Sequence, residues 1–165
     1  MKVVIETVDD LERIVDRDID CQASIKIDQA RIDAFAEVSC DKQWIHVDTN
    51  RARRESPFGA TVAHGLLLVA MCPRMLREAC DLKGVERGLM YGLNRVRFPA
   101  PLLEGSTVSA VVRLLEVARL ADGGARATIR YQFNTETVDR PCCVAEVVHQ
   151  FAFINQTTRE IAGCG

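Results

Sequence analysis

An excess of charge of one sign, long apolar runs and paired-cysteine motifs are all missing from this 165-residue chain. Lys and Arg number 21 against 23 Asp and Glu, a formal net charge of −2, with the signs mixed along the sequence. There is no basic block or stripe to hold a nucleic acid, and no acidic tail to act as a disordered interaction segment. The longest apolar run, Gly65 to Cys72, is too short to cross a bilayer. The start, MKVVIETVDDLERIVD, carries acids within ten residues and no small-residue cleavage site, so it does not read as a secretion signal. The expectation is a soluble, cytoplasmic protein with no nucleic-acid or membrane partner. P-loop, GxGxxG and GxSxG motifs are missing as well.

The seven cysteines (Cys21, Cys40, Cys72, Cys80, Cys142, Cys143 and Cys164) show no CxxC spacing, and their number is odd. They read as free, buried thiols in a reducing compartment rather than as a disulfide framework. None stands with His and Asn or Asp in a nucleophile signature.

The first half of the chain is helix-rich and the second half strand-rich, without repeats or a linker. That segregation predicts one α+β domain over residues 1–165. A short amphipathic helix is expected over Thr7–Val15 and a short strand over Ser24–Ile27. Asp28 suits the N-cap of the next helix, whose apolar face is Ile32, Phe35, Ala36 and Val38 or Ser39. Residues 41–61 read as mostly irregular, with a short helix near Thr49–Arg54 and a turn at SPFG. Gly65–Cys80 reads as one helix, buried on every side in its first turns and bent at Pro73. Strands follow over Leu89–Phe98, Ser106–Leu120, Arg126–Phe133 and Cys142–Ile154, with a hairpin turn at ADGG, 121–124. An antiparallel meander around one apolar helix accommodates them.

The chemistry gathers in DKQWIHVDTNRARRESPFGATVAHG, residues 41–65. Asp41 precedes His46 by five positions, and His64-Gly65 opens the apolar helix. A carboxylate and a neutral imidazole both accept hydrogen bonds from one water, and an imidazole near its ordinary pKa takes and returns a proton. The Gly65 amide, at a helix start, has no intrahelical acceptor and suits a developing negative charge. The alternatives are a turn-capping Asp41, a satisfied loop His46 and a Gly65 chosen for close packing. Asp41, His46, Asp48 and His64 are conceivable metal ligands, but the spacing matches no zinc pattern and no metal is expected. His149, in the last strand, reads as structural. Arg51, Arg53 and Arg54, and Arg95 with Arg97, are either solvated charge or phosphate contacts.

DKQWIHVD, SPFGATVAHGLLL and YGLNRVRFPAPLLEGSTV, in that order, resemble the MaoC-like dehydratases, in particular the branch with nodulation protein N and related (R)-specific enoyl-CoA hydratases. The resemblance runs from about Asp28 to the last strand. It implies a hotdog fold, a long central helix wrapped by an antiparallel sheet, assembled as a homodimer. It implies reversible hydration of a trans-2-enoyl thioester to the (R)-3-hydroxyacyl thioester, carried on coenzyme A or an acyl carrier protein, without a cofactor. By position, Asp41 and His46 hold the water and the Gly65 N–H polarises the thioester carbonyl. Gln43, Phe58, Gly59, His64 and Arg97 are the expected substrate contacts, with Phe58, Met71, Met75 and Met90 as candidate tunnel residues. The chain departs from the family pattern at Cys40, where Gly is usual, and at Gln43 and Trp44, where Asn and then Pro are usual. A side chain at Cys40 costs energy if the turn requires positive φ. A thioesterase, or an acyl-thioester-binding protein without activity, fits the same fold.

Overall fold

The computed structural model describes residues 2–154, so Cys164 lies outside the described residues. In chain order the elements are β1 (Val3–Val4), α1 (Val8–Glu12), β2 (Asp18–Asp20), β3 (Ile25–Lys26), α2 (Gln29–Ser39), α3 (Trp44–Val47), α4 (Thr49–Glu55), α5 (Gly65–Ala70), α6 (Cys72–Ala79), β4 (Cys80–Asp81), β5 (Val85–Arg97), β6 (Thr107–Arg119), β7 (Ala125–Thr135) and β8 (Val138–Phe153). Side chains set the helix starts. Thr7 and Asp10 close a capping box on α1. Asp28 accepts the Arg31 amide at 3.0 Å to begin α2. The buried face of α2 is narrower than expected: Ile32 and Ala36 are buried, while Val38 is 85% exposed.

β7 follows period-two patterning. Ala127, Ile129, Tyr131 and Phe133 are no more than 1% exposed, and their neighbours are half-buried on the other face. The β6–β7 turn closes with the Leu120 amide on the Gly124 carbonyl, and Gly123 supplies the left-handed φ of +82°.

The strand order is β2-β6-β7-β8-β5, with β3 also paired to β6, so the meander holds for β6, β7 and β8 only. β5 lies beyond β8, antiparallel to it, instead of beside β6. Nine residues, 98–106, separate β5 from β6. Tight hairpin loops take two to five residues, whereas nine extended residues reach roughly 30 Å, more than the three inter-strand gaps of about 4.8 Å to be crossed.

The helix expected over Gly65–Cys80 is two helices broken at Met71. Pro73 has no N–H for the Val69 carbonyl and its ring crowds that position, so α5 stops short of it. The Met71 amide turns back to the Leu67 and Leu68 carbonyls. Pro73 then falls in the first turn of α6, where a missing donor costs nothing. Leu68, Val69, Cys72, Met75 and Leu76 pack into one core with Ile129, Tyr131 and Phe133 of β7. Burial is not all-round: Leu66 is 59% exposed and Ala70 is exposed too. Six cysteines are described and all are free; Cys72, Cys80, Cys142 and Cys143 are buried, Cys21 is half-buried and Cys40 is exposed. Burial pushes the Cys80 thiol up to about 11 and those of Cys21 and Cys143 up to about 12, which leaves them inert at neutral pH.

Candidate active site

α2 ends on Cys40, with φ of 58° and ψ of 14°, a left-handed cap built from a residue other than glycine. This bend turns the chain so that Asp41 leaves the helix half-buried. A left-handed conformation costs about 1–2 kcal/mol for a residue with a Cβ, and glycine returns part of that gain through its looser unfolded chain. Cys40→Gly is therefore expected to raise stability by roughly 0.5–1 kcal/mol in urea unfolding; an unchanged or lowered midpoint contradicts this.

Gln43 follows Asp41 and donates from Nε2 to its carboxylate at 3.2 Å. Lys42 points away, paired with Glu37 at 2.7 Å, and that carboxylate raises the lysine pKa. The segment up to 47, expected to be irregular, winds into α3 and carries the buried His46. Gln29 fastens α3 to α2: its Nε2 donates to the His46 carbonyl at 2.7 Å and its Oε1 accepts from Thr61 at 2.6 Å. Trp44 lies under the Arg51 guanidinium, 4.3 Å from the ring centroid, and Arg51 also pairs with Glu55 at 2.7 Å. Arg51 is thus engaged within α3 and α4.

Residues 61–63 form a strap stitched on both sides. The Val62 amide donates to the Ile45 carbonyl at 2.9 Å, the Ala63 amide to Leu102 at 2.8 Å, and Thr61 accepts from the Glu104 amide at 2.9 Å. The Val62 carbonyl accepts from His46 Nδ1 at 2.5 Å. A carbonyl only accepts, so Nδ1 carries the proton and Nε2 presents a lone pair. His64 Nε2 donates to the Asp41 carbonyl at 2.9 Å by the same logic. Among the described residues, its Nδ1 is buried without a hydrogen-bond partner. The two imidazoles stack at 3.7 Å between centroids.

Asp41, His46 and His64 each bring a ligand atom within 4.8 Å of the others. A carboxylate and two imidazoles at this spacing could hold a metal ion and could equally hydrogen-bond a water. Asp48 is used elsewhere: it caps α4 by accepting the Arg51 amide. The tautomers set by these bonds leave His46 Nε2 and the buried His64 Nδ1 as acceptors, in one cluster with the Asp41 carboxylate.

Gly65 begins α5 after His64, with no side-chain cap on the helix. A Cβ on Gly65 would lie 2.8 Å from the Phe98 ring. The ring and this glycine flank an apolar groove of about 320 Å³, lined also by Val62, Leu68, Ala100, Leu102 and Cys142. Val62 thus lines the groove and sets His46 with its carbonyl.

The structure brings Asp41, Gln43, His46, His64 and Gly65 together but leaves three expected contacts apart. Phe58 is 47% exposed and Gly59 sits in the turn after α4 with φ of +67°, neither of them lining the Gly65 groove. Arg97 lies on the opposite face of its strand, in a groove with Arg95 and Pro99. The tunnel residues scatter too: Met75 is core, and Met90 lines a separate groove with His149. The sequence reading missed Gln29, Val62 and Phe98. Phe98 and Ala100 alternate with Arg97 and Pro99, which signals two faces but not what each meets.

Comparison with known proteins places the chain among relatives. The profile of the MaoC like domain matches residues 10–135. The 3-hydroxyacyl-thioester dehydratase Z of Mycobacterium tuberculosis is 38% identical over 146 residues, covering 88% of this chain and 96% of that protein. Nodulation protein N of Rhizobium meliloti is 40% identical over 103 residues, 62% of this chain and 64% of that protein. Among solved structures, R-hydratase PhaJ1 from Pseudomonas aeruginosa superimposes with a TM-score of 0.70 at 19% identity, over 90% of this chain and 87% of that one. Two helices packed on an antiparallel sheet are the hotdog-like α+β architecture of those relatives. The chain belongs to the MaoC-like dehydratase family.

Proposed function

We propose that this protein is an (R)-specific enoyl-CoA hydratase, equally a 3-hydroxyacyl-thioester dehydratase, with Asp41 and His46 as its acid/base pair. The observation that carries the reading is the locked His46 tautomer. Its Nδ1–H is committed to the Val62 carbonyl, so Nε2 accepts beside the Asp41 carboxylate. A water donating to both groups turns a lone pair toward the substrate. That oxygen bonds to Cβ, one water proton passes to the pair, and the pair delivers a proton to Cα on the same face. The thioester oxygen gains enolate character meanwhile and rests on the Gly65 amide, in line with donors that act only as charge develops. The whole sequence adds H and OH across one double bond and needs no cofactor.

A second copy of the chain completes the assembly in this reading. β5 is an edge strand, and Leu89, Met90, Tyr91 and Leu93 on it are 41–61% exposed. An exposed apolar edge invites pairing, and light scattering is expected to read twice the 18.3 kDa chain mass.

The test is crotonyl-CoA with purified protein. The expected result is loss of the conjugated enoyl absorbance with formation of the (R)-3-hydroxy product. Release of free thiol instead identifies a thioesterase, which also draws on Asp41. Binding without turnover overturns the enzymatic reading.

A further inference from the structure

The outer face of the sheet, away from the core, carries a row of charge across all five ladder neighbours. In register, Asp18 stands opposite Arg113, Arg113 opposite Arg130, Arg130 opposite Glu146, and Glu146 opposite Arg95. Gln132, Val144 and Arg97 form the next row. The two carboxylates are already matched. Asp18 holds Arg113 through two bonds of 2.6 Å, and Glu146 holds Arg130 at 2.9 Å. Among the described residues, Arg95 and Arg97 have no ion-pair partner, and the hydrogen bond seen for Arg97 goes to the Val96 carbonyl. Both arginines are exposed. With Pro99, Arg130 and Glu146 they wall a groove of about 360 Å³. A chain of net charge −2 thus places two uncompensated guanidinium groups side by side at one end of the row.

The position of this groove relative to the candidate active site is the second observation. Arg95, Arg97 and Pro99 line the outer groove, whereas Phe98, Ala100 and Pro101 line the apolar groove beside Gly65. A single stretch of backbone divides the two. It lies past Arg97–Val144, the final pair of the β5 ladder, so strand pairing along β5 does not obstruct a flexible arm crossing it.

We infer that the Arg95–Arg97 groove binds the nucleotide phosphates of coenzyme A while the thioester lies beside Gly65, with the pantetheine arm passing over residues 98–101. The inference rests on the hydratase reading above. Guanidinium groups match phosphate oxygens in pairs of parallel hydrogen bonds. The tie between Glu146 and Arg130 keeps the local carboxylate from opposing the anion. Two guanidinium groups within one groove match the closely spaced phosphates of a nucleotide.

The experiment compares the parent with the Arg95→Ala/Arg97→Ala double variant on crotonyl-CoA and on crotonyl-pantetheine, which has the same reacting thioester and no nucleotide. The expected result is a rise of about tenfold in KM for crotonyl-CoA with kcat nearly unchanged, and no change for crotonyl-pantetheine. An Arg95→Lys/Arg97→Lys variant is expected to recover part of the loss, because charge remains and the paired geometry does not. Equal effects on both thioesters, or none on either, overturn the assignment. So does a loss confined to a crotonyl-acyl carrier protein substrate, which makes the arginines a protein-docking surface. If the parent hydrates neither thioester, the hydratase reading fails by itself. Calorimetric titration with coenzyme A then decides the groove: weaker binding by the alanine variant supports it, and equal binding overturns it.

Discussion

Asp41→Asn is expected to slow crotonyl-CoA hydration by about 10²–10⁴-fold, the range for losing a positioned acid/base group. An amide keeps the size of the carboxylate but presents donors where the water needs an acceptor. The fold is expected to survive, because the Asp41 side chain is half-buried and, among the described residues, its one hydrogen bond is from Gln43. His46→Gln should cost a similar factor. The double variant should be scarcely worse than either single one, since in the proposed mechanism both groups hold the same water and their losses do not add. Near-parental turnover in Asp41→Asn removes the mechanism. Independent, multiplying losses would mean that the two residues serve different steps.

The second large effect is on stability in acid and originates at His149. Its Nε2 accepts from the Tyr131 hydroxyl at 2.8 Å, and the two residues are 3% and 0% exposed. Burial pushes the imidazole down to about 4 from an ordinary 6.5 and lifts the Tyr131 phenol well above its usual range, so the phenol is the donor. Below pH 6.5 the unfolded chain takes up a proton that the folded chain refuses until about pH 4. Stability therefore falls as pH drops through that window and is flat on either side of it, as far as this group is concerned. The total is on the order of 3 kcal/mol. Urea unfolding at pH 7 and pH 5 should show a decrease for the parent that His149→Gln lacks. Identical slopes for the two proteins would mean that the ring protonates in place within the fold.

The local signals in the sequence were those with neighbours close in the chain. The Asp28 cap, the alternation of Ala127 to Phe133 and the turn at ADGG all act within a few residues, and the structure has them. Pro73 signalled a disturbance in the helix but not its size, because whether a proline bends or ends a helix depends on what the freed carbonyl meets. The placement of β5 beyond β8 depends on a loop long enough to cross, and the length of 98–106 carried that signal unread. At the site, chain order located Asp41, His46, His64 and Gly65. It was silent on Val62 and Phe98, which act through a backbone carbonyl and through a contact across more than thirty residues. The spacing of Arg95 and Arg97 gave a shared face, and only the sheet register shows that this face points away from Gly65.

The strap at residues 61–63 has a mechanical consequence. The carbonyl that aims His46 and the amide at Gly65 belong to one short length of backbone, three residues apart. Stitches to Ile45 on one side and to Leu102 and Glu104 on the other make that length move as a unit. A thermal shift of the strap displaces both ends in common, so in the proposed mechanism the separation between the water held at His46 and the thioester oxygen held at Gly65 varies less than the position of either. The distance on which the proposed reaction depends is held by covalent geometry and by bonds that drift together, much as two marks on one ruler keep their interval when the ruler is moved.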